Sequence, residues 1–150
     1  VRQQTEALRA LADVRRIALE LRASSARVLG DGPALESLVR NVIDNALRYT
    51  PEGGRVRVAL DVESGRIEPD RLQASWATLC VEDSGPGVPP EARERIFERF
   101  HREPGSGVEG SGLGLAIVRE ALALHRGTIK LDASPDLGGL RIRIALPALG

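Results

Sequence analysis

The stretch from Pro33 to Tyr49 constrains the fold more than any other part of the chain. Leu35, Leu38, Val39, Val42, Ile43 and Ala46 recur at steps of three and four, the spacing of a helix with one buried face. Asp31 suits the N-cap, and Pro33 suits the first turn, where its missing N–H is not needed. "PEGG" at 51–54 then breaks the helix. A helix with one broad apolar face must bury it against another layer.

The remaining segments can supply that layer. "RVRVALDVE" (55–63) alternates, with Val56, Val58, Leu60 and Val62 on one face, as a half-buried strand does. "WATLCVED" (76–83) reads as a more buried strand. "GTIKLDA" and "LRIRIALP" read as a hairpin, with Leu140, Ile142, Ile144 and Leu146 alternating. Short strands are expected at "IALELRA" (17–23) and "ARVLGD" (26–31), and helices at 3–16, 90–100 and about 112–125. "SGRIEPDRLQAS" is a polar connection, and "EPGSGVEGS" (103–111) is expected to be a mobile loop. The class is therefore α+β: a two-layer α/β sandwich, its mixed, largely antiparallel sheet covered on one face by helices.

A length of 150 residues fits a single domain spanning 1–150, and no internal repeat or boundary interrupts it. No apolar run approaches the roughly 20 residues of a membrane span, and no signal-peptide pattern is present. Basic and acidic residues balance at 21 each, which argues against non-specific nucleic-acid binding. Cys80, the single cysteine, sits in an apolar run and reads as a buried thiol. The chain contains no methionine, so it is expected to be a piece of a longer protein.

Three segments carry chemistry. At about 100° per residue, Asn41, Asn45, Arg48 and Tyr49 share a sector beside the apolar face of the 33–49 helix. Asp44, Arg40 and Glu36 fall on the far side. Amide oxygens four residues apart suit a magnesium ion already carrying phosphate oxygens, and Arg48 could reach those phosphates. The alternative is a solvated polar stripe, with Asn45 capping something local. Asp83 leaves a buried strand into a turn on Gly85 and Gly87, where a carboxylate can accept from a ligand amine; the alternative is a turn-forming Asp-Ser-Gly. Gly110, Gly112 and Gly114 open an apolar helix, but no buried strand precedes them and no Lys-Ser or Lys-Thr follows. That pattern excludes a P-loop and a dinucleotide fingerprint. It leaves a loop ending on a helix N-terminus, where Gly112, Leu113, Gly114 and Leu115 offer free amide hydrogens. The only lysine, Lys130, lies on an expected strand, so positive charge must come from arginines such as Arg48 and Arg102.

In order, "NVIDNALRYTPEGG", "VEDSGPGVPP", "RIFERFHR" and "GSGLGLAIVRE" resemble the N box, first glycine box, F box and second glycine box of sensor histidine kinases. The tail "GGLRIRIALP" is similar to the family's final strands but lacks their frequent Thr-x-Phe. The resemblance covers about residues 31–133 and implies the Bergerat ATP-binding fold with ATP and Mg2+ as cofactors. It implies Asn45 as main magnesium ligand beside Asn41, Arg48 on phosphate, and Tyr49 on the adenine side. Asp83 would accept the adenine amino group, with Gly85, Gly87 and Val88 shaping that end. Phe97, Phe100 and His101 would pack a lid at 101–111, Arg102 would contact phosphate, and Gly110, Ser111 and Gly112–Leu115 would bind the phosphate chain.

The family's phosphoacceptor is a histidine followed by an acidic residue on a dimerising helix pair. Neither His101 nor His125 has that context. The resemblance thus implies a kinase half-site that donates the γ-phosphate to a histidine on a separate dimerisation domain, with a response regulator downstream. Residues 1–16 would be a linker helix from that domain. A cytoplasmic position is implied, the parent in many such kinases being anchored in the inner membrane, with no direct membrane contact by this part. Gyrase-type ATPases and anti-sigma serine kinases are rivals within the superfamily, but they carry a glutamate where this chain has Asn41. A degenerate module that binds partners and no ATP is the rival from another class.

Overall fold

The computed structural model describes residues 2–24, 28, 30–65, 74–93, 95 and 114–148. In chain order the elements are α1 (Arg2–Val14), β1 (Ala18–Ala23), α2 (Gly32–Tyr49), β2 (Arg55–Gly65), β3 (Ala74–Asp83), a 3-10 turn at Pro90–Ala92, α3 (Gly114–His125), β4 (Thr128–Ala133) and β5 (Leu140–Ala148). The strand order is β1-β2-β3-β5-β4. β1 runs parallel to β2, and every other neighbouring pair is antiparallel.

Two-residue alternation decides what each sheet face carries. Leu19, Val56, Val58, Val81, Leu79, Ile142 and Ile144 point to the helices and join Leu38, Val42, Ile43 and Leu47 of α2 in one core. Val118, Ala121 and Leu122 of α3 close the same core. Burial fades along β2, from Val56 and Val58, both fully buried, to Val62 at 41% exposure. Among the described residues the other face carries no helix and bears ion pairs: Glu20 with Arg55 and Arg57, Asp61 with Arg22, and Asp132 with Arg141 and Arg143. Exposed pairs of this kind contribute little individually. Cys80 stands on this open side and is half-buried rather than enclosed in the core, because its neighbours Leu79 and Val81 take the helix side. Burial and, secondarily, the charge of Glu82 push its thiol pKa up.

α2 starts as its sequence predicts. Asp31 is the N-cap, in extended conformation, and its carboxylate accepts from Ala34 N–H at 3.0 Å. Two other helix ends are less legible. Arg16 and Arg126 adopt positive φ of 54° and 56°, the conformation in which glycine usually ends a helix. The bonds Ile17 N to Ala12 O and Gly127 N to Leu122 O, both 2.9 Å, close those ends. The expected strand at 26–31 is not seen at Val28 and Gly30, and 25–27 and 29 lie outside the described residues. Among the described residues, the helix expected at 90–100 is a short 3-10 turn at Pro90–Ala92, with Arg95 again in 3-10 conformation.

Candidate functional site

Asp83 ends β3 opposite Val56, in the same helix-facing row as Val81 and Leu79. Alternation therefore turns its carboxylate into the space between sheet and helices, where it is 5% exposed. One oxygen, Oδ1, accepts from Gly85 N–H at 2.9 Å and from Leu140 N–H at 3.2 Å. Oδ2 has no hydrogen-bond partner among the described residues. Burial raises the carboxyl pKa, and the two backbone donors only partly oppose that rise.

Backbone packing sets this carboxylate. A side chain on Gly85 would start 2.7 Å from Tyr49 O, so the turn after β3 lies directly on the end of α2. Gly87 has φ of +76°, a conformation that glycine adopts without strain. A side chain on Gly139 would start 2.2 Å from Asp83 Oδ1. Gly139 N–H donates to Asp83 O at 3.0 Å, and Ser134 ties the base of the β4–β5 turn. Ser134 Oγ donates to Glu82 Oε1 at 3.0 Å and accepts from Leu137 N–H at 3.1 Å. Nothing local marks Gly139, the Leu140 N–H or Ser134 as part of the site except the Gly-Gly pair opening an alternating strand. Val88 packs against the core, and its carbonyl accepts from Arg93 Nε at 3.2 Å.

On α2, Asn41 and Asn45 are both half-buried. Asn41 Nδ2 donates to Ser37 O at 2.7 Å, which leaves its Oδ1 as the outward atom. The Asn45 side chain has no hydrogen-bond partner among the described residues. Two amide oxygens spaced one turn apart and not consumed by the fold are donors that suit a hard cation. Arg48 is paired within its own helix: its Nε donates to Asp44 Oδ2 at 2.7 Å, one turn back. The wheel locates the Cα direction, whereas a long guanidinium swings to the adjacent carboxylate. Tyr49 is half-buried beside the Asp83 turn.

Gly114 opens α3, and Leu115 is buried at 6% exposure. Phe97, Phe100, His101, Arg102, Gly110, Ser111, Gly112 and Leu113 lie outside the described residues. His125 is a core group. Its Nδ1 lies 2.7 Å from Ala121 O, and its Nε2 accepts from Asp31 N–H at 3.0 Å, which assigns the proton to Nδ1. The ring thereby ties the end of α3 to the start of α2, and Gly30 makes room for it.

A helical layer on one face of a largely antiparallel sheet, with a strand-end carboxylate and a pair of helix amides beside it, defines an ATPase-type α/β sandwich. The family described as histidine kinase-, DNA gyrase B-, and HSP90-like ATPases matches residues 30–150, and the chain belongs to it. Within that family the chain is 42% identical, over 87% of its length, to sensor protein kinase PmrB of Pseudomonas aeruginosa. It is 44% identical over 79% of its length to sensor histidine kinase CpxA of Escherichia coli. It spans about a quarter of those relatives, 26% and 24% respectively. The solved structure of mycobacterial sensor histidine kinase MprB superposes with a TM-score of 0.76 at 37% identity, covering 97% of this chain and 91% of that one. The chain is thus the histidine kinase type of ATPase domain. Among the described residues no helix is long and apolar enough to cross a membrane.

Proposed function

We propose that this domain binds Mg–ATP and donates the γ-phosphate to a histidine on a separate dimerisation domain, from which a response regulator is then phosphorylated. The observation that carries the reading is Asp83. It is a buried carboxylate with one oxygen held by two backbone N–H groups and the other unpartnered among the described residues, in a family of ATPases. A free carboxylate oxygen beside a glycine turn suits an exocyclic amine such as that of adenine.

The other roles follow from what each residue leaves available. Asn41 and Asn45 would hold the magnesium ion, which when bound neutralises phosphate charge. Tyr49 would cover the base, and Gly85, Gly87 and Val88 would shape its slot. Arg48, Arg102 and the segment Gly110, Ser111, Gly112, Leu113, Gly114 and Leu115 would hold the phosphates, the helix start of α3 supplying N–H donors. The chain positions donor and charge; the acceptor histidine supplies the nucleophile, as phosphoryl transfer mostly requires positioning.

An amide at position 41 cannot take a proton, and Asp44 is engaged by Arg48, so neither is placed as a base for water. The domain by itself therefore turns over ATP very slowly and does not phosphorylate itself. Affinity is expected between micromolar and millimolar, about −4 to −8 kcal/mol. Calorimetry with ATP and magnesium tests binding; no heat at several millimolar nucleotide excludes the reading. Transfer of labelled γ-phosphate to an added acceptor domain tests the activity. Rapid hydrolysis by the domain alone, lost in Asn41→Ala or Asp44→Ala, would place the chain on the ATPase branch instead.

A further inference from the structure

Arg15 stands one residue past α1, yet its guanidinium reaches across to the C-terminal end of α2. Nη1 donates to Leu47 O and to Arg48 O, the latter at 2.9 Å, and Nη2 donates to Thr50 O at 3.0 Å. A helix leaves its last carbonyls without intrahelical donors. Here the Ala46 carbonyl is served locally, by the Thr50 N–H at 3.1 Å and the Thr50 hydroxyl at 2.7 Å. The carbonyls that follow are served by a side chain from a different element, separated by more than 30 positions in sequence. A cation at this end also complements the helix dipole.

The clamped carbonyls flank Tyr49, and Tyr49 O lies where a side chain on Gly85 would begin, 2.7 Å away. The end of α2 and the turn that holds Asp83 therefore touch backbone to backbone. α1 is itself seated by Leu8 and Ala12 in the common core. We propose that Arg15 is a positioning residue that couples the docking of α1 to occupancy of the nucleotide site. This rests on the nucleotide-binding reading above. Release of the clamp frees the end of α2, and with it Arg48, Tyr49 and the Asp83 turn. By reciprocity of linked equilibria, nucleotide must then tighten the docking of α1 by the same factor.

The test uses the 150-residue chain, its Arg15→Gln and Arg15→Lys variants, and Ile129→Ala on edge strand β4 as a destabilised control remote from the clamp. Binding of a non-hydrolysable ATP analogue with magnesium is measured by calorimetry, and hydrogen exchange of α1 is followed with and without it. Arg15→Gln should weaken the analogue about fivefold or more, within the range of ordinary couplings. It should also erase the slowing of α1 exchange that nucleotide produces in the parent. Arg15→Lys, which keeps the charge but not the fork, should recover part of both. Ile129→Ala should keep both. Parent-like binding by Arg15→Gln, or an equal loss in Ile129→Ala, overturns the coupling while leaving nucleotide binding intact. If Arg15→Gln does not fold, exchange in the parent decides: α1 amides indifferent to bound analogue overturn the proposal. A parent that binds no analogue overturns the nucleotide reading, and the coupling with it.

Discussion

The two sides of the candidate site are built by different means. At Asp83, backbone does nearly everything: two N–H groups hold one oxygen, and Gly85 and Gly139 let chain segments approach where no side chain would fit. At the α2 face, helix side chains stand on a periodic surface, Asn41 oriented by one bond to Ser37 and Asn45 by none among the described residues. The two sides therefore differ in what they cost the fold. Holding Asp83 buried opposes folding, because its charge is desolvated. Keeping Asn45 ready takes almost nothing, because a half-exposed amide remains hydrated.

The largest effect that would break this contrast is expected at Gly139. In Gly139→Ala the new Cβ would sit 2.2 Å from Asp83 Oδ1 and 2.4 Å from Asp83 O. Overpacking of that severity destabilises by about 3 kcal/mol, and nucleotide affinity should disappear with the displaced carboxylate. Urea unfolding beside calorimetry measures both; parent-like values would mean the turn yields and Asp83 is not rigidly set.

Asp83→Asn sharpens the contrast by separating binding from stability. It should weaken ATP by about 1.5–3 kcal/mol, the value of a hydrogen bond to a charged group. The empty domain, by contrast, should become more stable at neutral pH. Burial raises the folded pKa of Asp83, so its contribution to stability is full below the unfolded pKa. That contribution is lost as pH rises through the folded value. Unfolding curves across the acid range should show this loss in the parent and not in Asp83→Asn; identical pH profiles would count against a strained carboxylate.

Asn45→Ala should do the reverse. Stability should change by less than about 0.5 kcal/mol. Affinity in magnesium should fall about tenfold, or about 1.4 kcal/mol, and stay unchanged in chelator. A magnesium-independent loss would assign Asn45 to packing. The smallest effect belongs to Ser134→Ala, which removes partners of Glu82 and Leu137 N–H at the base of the β4–β5 turn. A destabilisation of about 1 kcal/mol is expected, with affinity lowered only a few-fold as the Leu140 N–H loosens from Asp83. Affinity lost without loss of stability would place Ser134 at the ligand instead of at the turn.

Much of the architecture was legible in the residues themselves. The three-and-four spacing of Leu38, Val42, Ile43 and Ala46 is the buried stripe of α2, and Asp31 caps it. Alternation in "RVRVAL" and "LRIRIAL" is the inward row of β2 and β5. Asp83 was legible for the same reason: a carboxylate two residues beyond Val81 on a period-two strand must share its side. Local rules reach these features because each depends on neighbours within a few positions. Arg16 and Arg126 escaped them, since both end helices in a conformation that sequence usually signals with glycine.

Only the tertiary structure chose the partners that hold the site in place. Leu140 N–H meets Asp83 across 57 positions, Arg15 meets Leu47 across 32, and His125 meets Asp31 across 94. No periodicity encodes such pairs, because they arise from the order in which strands join the sheet and from where helix ends fall over it. Period and side-chain chemistry set which face of α2 and of each inner strand turns inward and which polar groups stand beside it, though not how deeply each residue is buried, as Cys80 and Val62 show. Tertiary packing decided which of those groups are consumed, as one oxygen of Asp83 is by the Leu140 N–H, and which, like the Asn45 amide and the other oxygen of Asp83, find no partner among the described residues. Hydrogen-bond capacity belongs to the residue, but its use belongs to whatever the fold brings within 3 Å.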